Sequence, residues 1–155
     1  MSDAEGSAIS RRRCREIMTG NVRTVTSETS VRDVSVLMRE GDIGAVPVVD
    51  AGKLVGIVTD RDIVVRVVAE GNPASTPVAE AMTGEVFSVG PDDFVFEAIR
   101  LMGDKQVRRV PVVEPSGELV GIIAMADVAL ETEDEREIAE TLEEISSGSA
   151  FWSKN

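Results

Sequence analysis

The chain is written twice. Glu16-Ile17-Met18-Thr19-Gly20 returns as Glu80-Ala81-Met82-Thr83-Gly84, 64 residues later. At that offset Val22 falls on Val86, Val25 on Val89, Leu37-Met38 on Leu101-Met102, and Val46-Pro47-Val48-Val49 on Val110-Pro111-Val112-Val113. One inserted residue near Ser116 moves the offset to 65, after which LVGI meets LVGI and Asp62 meets Asp127. A match this long is a tandem duplication, so the fold must be built from two like units.

Each copy can be ordered from its pattern. A short strand at 22–25 precedes Ser27 to Ser30, which carry helix-start residues ahead of Val31, Val34, Leu37 and Met38. Gly41 ends that helix. Apolar strands at 45–49 and 54–58 flank Asp50-Ala51-Gly52, a hairpin composition. A closing helix over 60–69 stops at Gly71-Asn72-Pro73. The second copy predicts a strand at 86–89, a helix over 93–104, strands at 109–113 and 119–124, and a helix from Met125. Between the copies, Thr76 as cap, Pro77 at the first position and Glu80 reaching back predict a helix entry.

The expected class is therefore α/β in an α+β arrangement. Two β-α-β-β-α units, each marginal alone at fewer than about 60 residues, pack sheet to sheet with pseudo-twofold symmetry to close one core. The segments are an N-terminal tail at 1–13, the first repeat at 14–75, the second at 76–130, and an acidic C-terminal helix and tail at 131–155. In that tail Ile138, Leu142 and Ile145 fall on one helical face, expected to dock on the chain's own module or on a partner subunit. Phe151-Trp152 is expected to pack against the protein's own surface, with a docking plug as the alternative.

Composition narrows the function. The net charge of −12 opposes binding to nucleic acid or an anionic membrane. Arg11, Arg12, Arg13 and Arg15 run against that trend and read as a solvated terminus. The chain has no histidine, and nothing is apparent that would activate its one cysteine, Cys14, or a serine. The arginines around Cys14 can lower its pKa, but it reads as an ordinary cysteine. No carboxylate spacing marks a catalytic pair or a metal cage, so neither an enzyme nor a metal site is expected. No apolar run is long enough to span a bilayer and no signal peptide is apparent, which makes the cytoplasm the expected location.

The repeated EIMTG/EAMTG, IGAVPVV/VRRVPVV and LVGIVTDRD/LVGIIAMAD together resemble the paired CBS domains of a Bateman module, over about residues 15–130. The resemblance implies a stand-alone regulatory pair with two clefts between the repeats, commonly filled by AMP, ADP, ATP or S-adenosylmethionine, with Mg²⁺ left open. It also implies further association into a disc-like homodimer and a regulated protein in trans.

In the family's G-x-x-T-x-x-D pattern the aspartate takes ribose hydroxyls and the threonine assists at ribose or phosphate. The first copy matches with Gly56, Thr59 and Asp62; the second keeps Gly121 and Asp127 but has Ala124 at the threonine position. Arg108 and Arg109 stand before the second Val-Pro-Val, where similar modules hold phosphate donors, against Gly44 and Ala45 in the first. The complementary halves predict one competent cleft, using Thr59 and Asp62 with Arg108 and Arg109, and a weaker one at Asp127. Met18, Val25, Val46 and Pro47 are candidates for the base slot. Each has a duller reading: both aspartates as helix caps, the arginines as partners of surface acids, the apolar residues as core. The competing function is a ligand-free protein–protein interaction module.

Overall fold

The computed structural model describes residues 11–131. In chain order its elements are α1 (Cys14–Ile17), α2 (Val31–Gly41), β1 (Ala45–Asp50), β2 (Lys53–Thr59), α3 (Asp60–Ile63) running into a π-wound turn (Val64–Val68), a 3₁₀ turn (Val78–Glu80), α4 (Val95–Lys105), β3 (Arg109–Val113), β4 (Leu119–Ala124) and α5 (Met125–Glu131). This is an α+β protein with two small sheets, β1 with β2 and β3 with β4. The acidic helix and tail expected at 131–155, with the stripe Ile138, Leu142 and Ile145 and the Phe151-Trp152 pair, lie beyond Glu131 and so outside the described residues.

The hairpins form where the apolar runs predict them. β1 and β2 pair antiparallel, Ala45 opposite Thr59 through Val48 opposite Gly56, with a one-residue shift before Val49 meets Leu54. Ala51 and Gly52 both take positive φ, 53° and 83°, the pair of conformations a tight two-residue hairpin requires. Ser30 caps α2 by accepting from Asp33 N–H at 3.1 Å. The left-handed residue that ends α2 is Asp42 (φ 53°), not the expected Gly41, and Gln106 (φ 57°) does the same for α4.

The expected strands at 22–25 and 86–89 shrink to single parallel bridges, Val25 with Val48 and Val89 with Val112. Proline explains the shortening. Val25 N–H donates to Pro47 C=O at 3.2 Å and Val49 N–H donates to Val25 C=O at 2.7 Å. The next bond of a parallel ladder would come from the N–H of residue 47, which proline lacks. Pro111 imposes the same limit beside Val89. Ahead of the bridge, Ser27 N–H donates to the Asp50 carboxylate at 3.1 Å instead of continuing the ladder.

The helix entry between the copies is also corrected. Thr76 Oγ1 donates back to Pro73 C=O at 2.6 Å, and Pro77 occupies the cap position of a three-residue 3₁₀ turn without a side-chain cap.

The described residues form two compact units that cut across the repeat. One holds 23–86 with 116–119; the other holds 11–22, 87–115 and 120–131. Each M-T-G segment thus precedes one hairpin and packs on the other. Thr83 and Ile57 exchange backbone bonds at 2.8 and 3.0 Å in the first unit, and Thr19 and Ile122 at 2.8 and 3.0 Å in the second. The glycine of each LVGI makes room for this strap. A Cβ on Gly56 would lie 2.6 Å from Met82 Sδ and 2.9 Å from Thr83 C=O; on Gly121 it would meet Met18 Sδ at 2.5 Å and Thr19 C=O at 2.9 Å.

The first unit's core gathers Val31, Val34, Met38, Val46, Val48, Val58, Ile63, Val67, Val78 and Ala81. The second gathers Val95, Ala98, Ile99, Met102, Val110, Val112, Ile123, Met125 and Val128 around Cys14, which is fully buried.

Candidate functional site

In the first unit β2 ends at Thr59, and α3 begins at once. Thr59 Oγ1 accepts from Asp62 N–H at 3.1 Å, and Asp62 Oδ2 accepts from Thr59 N–H at 2.9 Å. This reciprocal box satisfies two of the N–H groups that a helix start leaves open. Both side chains are half-buried. The capping reading of Asp62 is therefore correct, yet it engages only Oδ2; Oδ1 has no partner among the described residues. Thr59 accepts through its oxygen and keeps its hydroxyl hydrogen to donate.

The second unit carries a one-sided version. Asp127 Oδ2 accepts from Ala124 N–H at 3.1 Å, but Ala124 has no hydroxyl to return the bond. Arg108 and Arg109 are exposed and form no ion pair among the described residues. Arg108 C=O accepts from Met125 N–H at 2.8 Å, which places the pair beside the start of α5. The same bond in the first unit runs from Asp60 N–H to Gly44 C=O at 3.0 Å. A Cβ on Gly44 would lie 3.2 Å from Asp60 Oδ2. One turn thus gathers Asp60 and Asp62, and its duplicate gathers Arg108 and Arg109 with Asp127. The electrostatic characters are opposite.

Among the candidate base-slot residues, Val25, Val46 and Pro47 belong to the first unit with Thr59 and Asp62, whereas Met18 belongs to the second with Arg108, Arg109 and Asp127. Val46 and Pro47 are buried; Val25 and Met18 are half-buried.

In the arginine run Arg11, Arg13 and Arg15 are exposed, in keeping with a solvated terminus, yet Arg12, Arg13 and Arg15 also hold partners. Arg15 pairs with Asp92 at 2.6 Å, Arg13 donates to Asp92 C=O at 2.7 Å and lies 4.3 Å from the Phe94 ring centroid, and Arg12 pairs with Glu16 at 3.0 Å. These arginines are anchored ahead of α4. They do not activate Cys14. Burial, followed by Asp93 and Glu97, pushes its thiol up to about 12, so the thiolate needed for nucleophilic chemistry is suppressed.

Sequence reasoning missed Arg66. Its Nη1 donates to Ala81 C=O at 3.3 Å and Met82 C=O at 3.1 Å, on the strap that seats against Gly56. The available signal was one arginine inside Val-Val-Arg-Val-Val, four residues after Asp62.

A family model for the CBS domain matches the chain at residues 14–69 and again at 78–134. The chain belongs to the CBS domain family. Its relatives include the CBS domain-containing protein YhcV of Bacillus subtilis, 40% identical over 116 residues that span 75% of this chain and 82% of YhcV. Among solved structures, Hypoxic Response Protein I with two coordinated zinc ions superposes with a TM-score of 0.71 at 35% identity, covering 77% of this chain and 98% of that one. The CBS domain pair of protein MJ0100, in complex with 5-methylthioadenosine and S-adenosyl-L-methionine, superposes with a TM-score of 0.68 at 28% identity, covering 77% and 94%.

The described residues of this CBS pair bring no zinc donor set together. The chain has no histidine, its one cysteine is buried, and no three ligating side chains come together among the described residues. No described helix is long and apolar enough to cross a membrane. As a CBS domain pair the chain is a regulatory module.

Proposed function

We propose that this module is non-enzymatic and binds an adenosine-containing ligand through the Thr59–Asp62 turn, with Arg108 and Arg109 donating to phosphate. The observation that carries the reading is the unpartnered Oδ1 of Asp62 on a half-buried turn whose Oδ2 already serves the helix. A carboxylate oxygen so placed can accept from ribose hydroxyls without dismantling the cap. The two guanidiniums, without an ion pair among the described residues, support the phosphate role, being permanently charged and able to make paired bonds. Adenosine compounds bound to the MJ0100 pair support the ligand class. The half-buried Val25 and Met18 and the buried Val46 and Pro47 are the proposed base contacts. The Asp127 turn, lacking a hydroxyl at Ala124, is the weaker site.

In this reading the ligand is AMP, ADP or ATP, with Mg²⁺ where the phosphate chain recruits it, or S-adenosylmethionine. It biases a cytoplasmic homodimer toward one arrangement that a protein in trans recognises. That requires different affinities for the two arrangements.

Calorimetry with AMP, ADP, ATP and S-adenosylmethionine tests the proposal. Asp62→Asn keeps an oxygen for the cap and replaces Oδ1 with an amide donor, so affinity should fall roughly tenfold. Replacing Arg108 and Arg109 by glutamine should weaken ATP more than S-adenosylmethionine. No binding at millimolar ligand, or indifference to Asp62→Asn, sinks it.

A ligand-free interaction module is the second reading, favoured by the completeness of the Thr59–Asp62 box as a purely structural device. It expects an unchanged melting temperature with every nucleotide, and loss of a co-purifying partner when the chain is cut at Glu131.

A further inference from the structure

The Thr59–Asp62 turn is one corner of a closed circuit within the first unit. Asp62 caps α3; α3 runs into the π-wound stretch Val64–Val68, closed by Ala69 N–H donating to Val64 C=O at 2.8 Å. Arg66, inside that stretch, donates to Ala81 and Met82 C=O. Met82 and Thr83 in turn seat on Gly56 and Ile57 of β2, the strand that ends at Thr59. A candidate ligand group and the segment leading into the second repeat thus share one loop of contacts.

π winding is uncommon and concentrates where a helix has been bent to a task. Little packing locks it here. Val64, Val65 and Val68 are 57%, 45% and 65% exposed, and only Ile63 and Val67 of this helix are buried. Rewinding to α geometry would turn Arg66 about the helix axis and take its guanidinium off the two carbonyls. Coupling through this element requires that it take both windings, π and α. The sequence of the duplicate does not repeat these two residues: Ala124 stands for Thr59 and Glu131 for Arg66.

We infer that Arg66 is a positioning residue that couples the state of the Thr59–Asp62 turn to the strap at 78–84 through the π-wound stretch. Only the identity of the trigger rests on the ligand reading above; the coupling itself is tested without ligand.

The experiment is amide hydrogen exchange on the full chain. Arg66→Met should speed exchange at Ile57 and Thr83 roughly tenfold, leaving Thr19 and Ile122 unchanged as an internal control. Arg66→Lys, which keeps charge and a donor, should recover part of the protection. Asp62→Ala, which removes the cap, should speed exchange at Thr83 in the wild type and add nothing in Arg66→Met. Equal acceleration by Asp62→Ala in both backgrounds, or an unchanged Thr83 in Arg66→Met, overturns the inference. Coupling that persists in a protein that binds no nucleotide supports it while removing the adenosine ligand. Nucleotide binding without coupling overturns it and spares the ligand.

Discussion

A carboxylate has two oxygens, and in the first repeat only one of Asp62's is used to start a helix. The cap therefore does not exclude the proposed ligand contact, because the two roles would fall on different atoms of one side chain. The second repeat isolates the threonine's share of the cap, since Ala124 receives nothing from Asp127 N–H that a hydroxyl would accept. Ala124→Thr is therefore expected to complete the box and stabilise the second unit by about 1 kcal/mol, read as a higher urea midpoint with unchanged slope. An unchanged or lower midpoint would mean that the half-buried site cannot seat the added methyl and hydroxyl. The turn residues were legible in the sequence because Gly-x-x-Thr-x-x-Asp fixes their spacing. Which oxygen does what was not, since it depends on the orientation of a carboxylate.

The hairpins and α2 follow from short-range pattern, and their bounds match the expectation within about two residues. The strands at 22–25 and 86–89 do not, because their length is decided by a proline more than twenty positions away that cannot donate the next ladder bond. The closing helix is expected at 60–69, and the structure winds its second half as a π turn from which Arg66 reaches the strap beyond Pro73. Strap and hairpin also explain the shared glycine. Gly56 has an ordinary backbone conformation and needs no special φ; what it lacks is room for a Cβ beside Met82 and Thr83. Gly56→Ala should cost about 1–3 kcal/mol through overpacking, measured by denaturant unfolding. Adding Met82→Ala should recover part of that loss, since the sulfur is the end of a flexible chain. The part due to Thr83 C=O should remain, as a backbone oxygen cannot step aside so cheaply. Full recovery would show that the backbone strap was never in the way.

The duplication predicts two like copies, each marginal alone, and each compact unit in fact takes its strap from ahead of the other copy's hairpin. The N-terminal strap places fully buried Cys14 in the second unit's core. It also donates Cys14 N–H to Asp93 C=O at 2.8 Å and Arg15 N–H to Pro91 C=O at 2.9 Å, accepts Val95 N–H on Arg12 C=O at 2.7 Å, and exchanges two bonds with Ile122. Five backbone bonds at roughly 1 kcal/mol each approach the whole stability of a small domain, about 5–15 kcal/mol. A chain begun at Asn21 keeps both hairpins in its sequence and still lacks this strap. The first unit's own strap, at 78–84, is untouched by that deletion. Hydrogen exchange should then show protection lost at Val110, Val112 and Ile123 while Val46, Val48 and Val58 remain protected. A peptide of residues 11–20 added in trans should restore part of the lost protection, because the strap is contiguous and enters at a chain end. Equal loss in both units would mean that the two cores stand or fall together, and retained protection in the second would mean that its hairpin and helices suffice without Cys14.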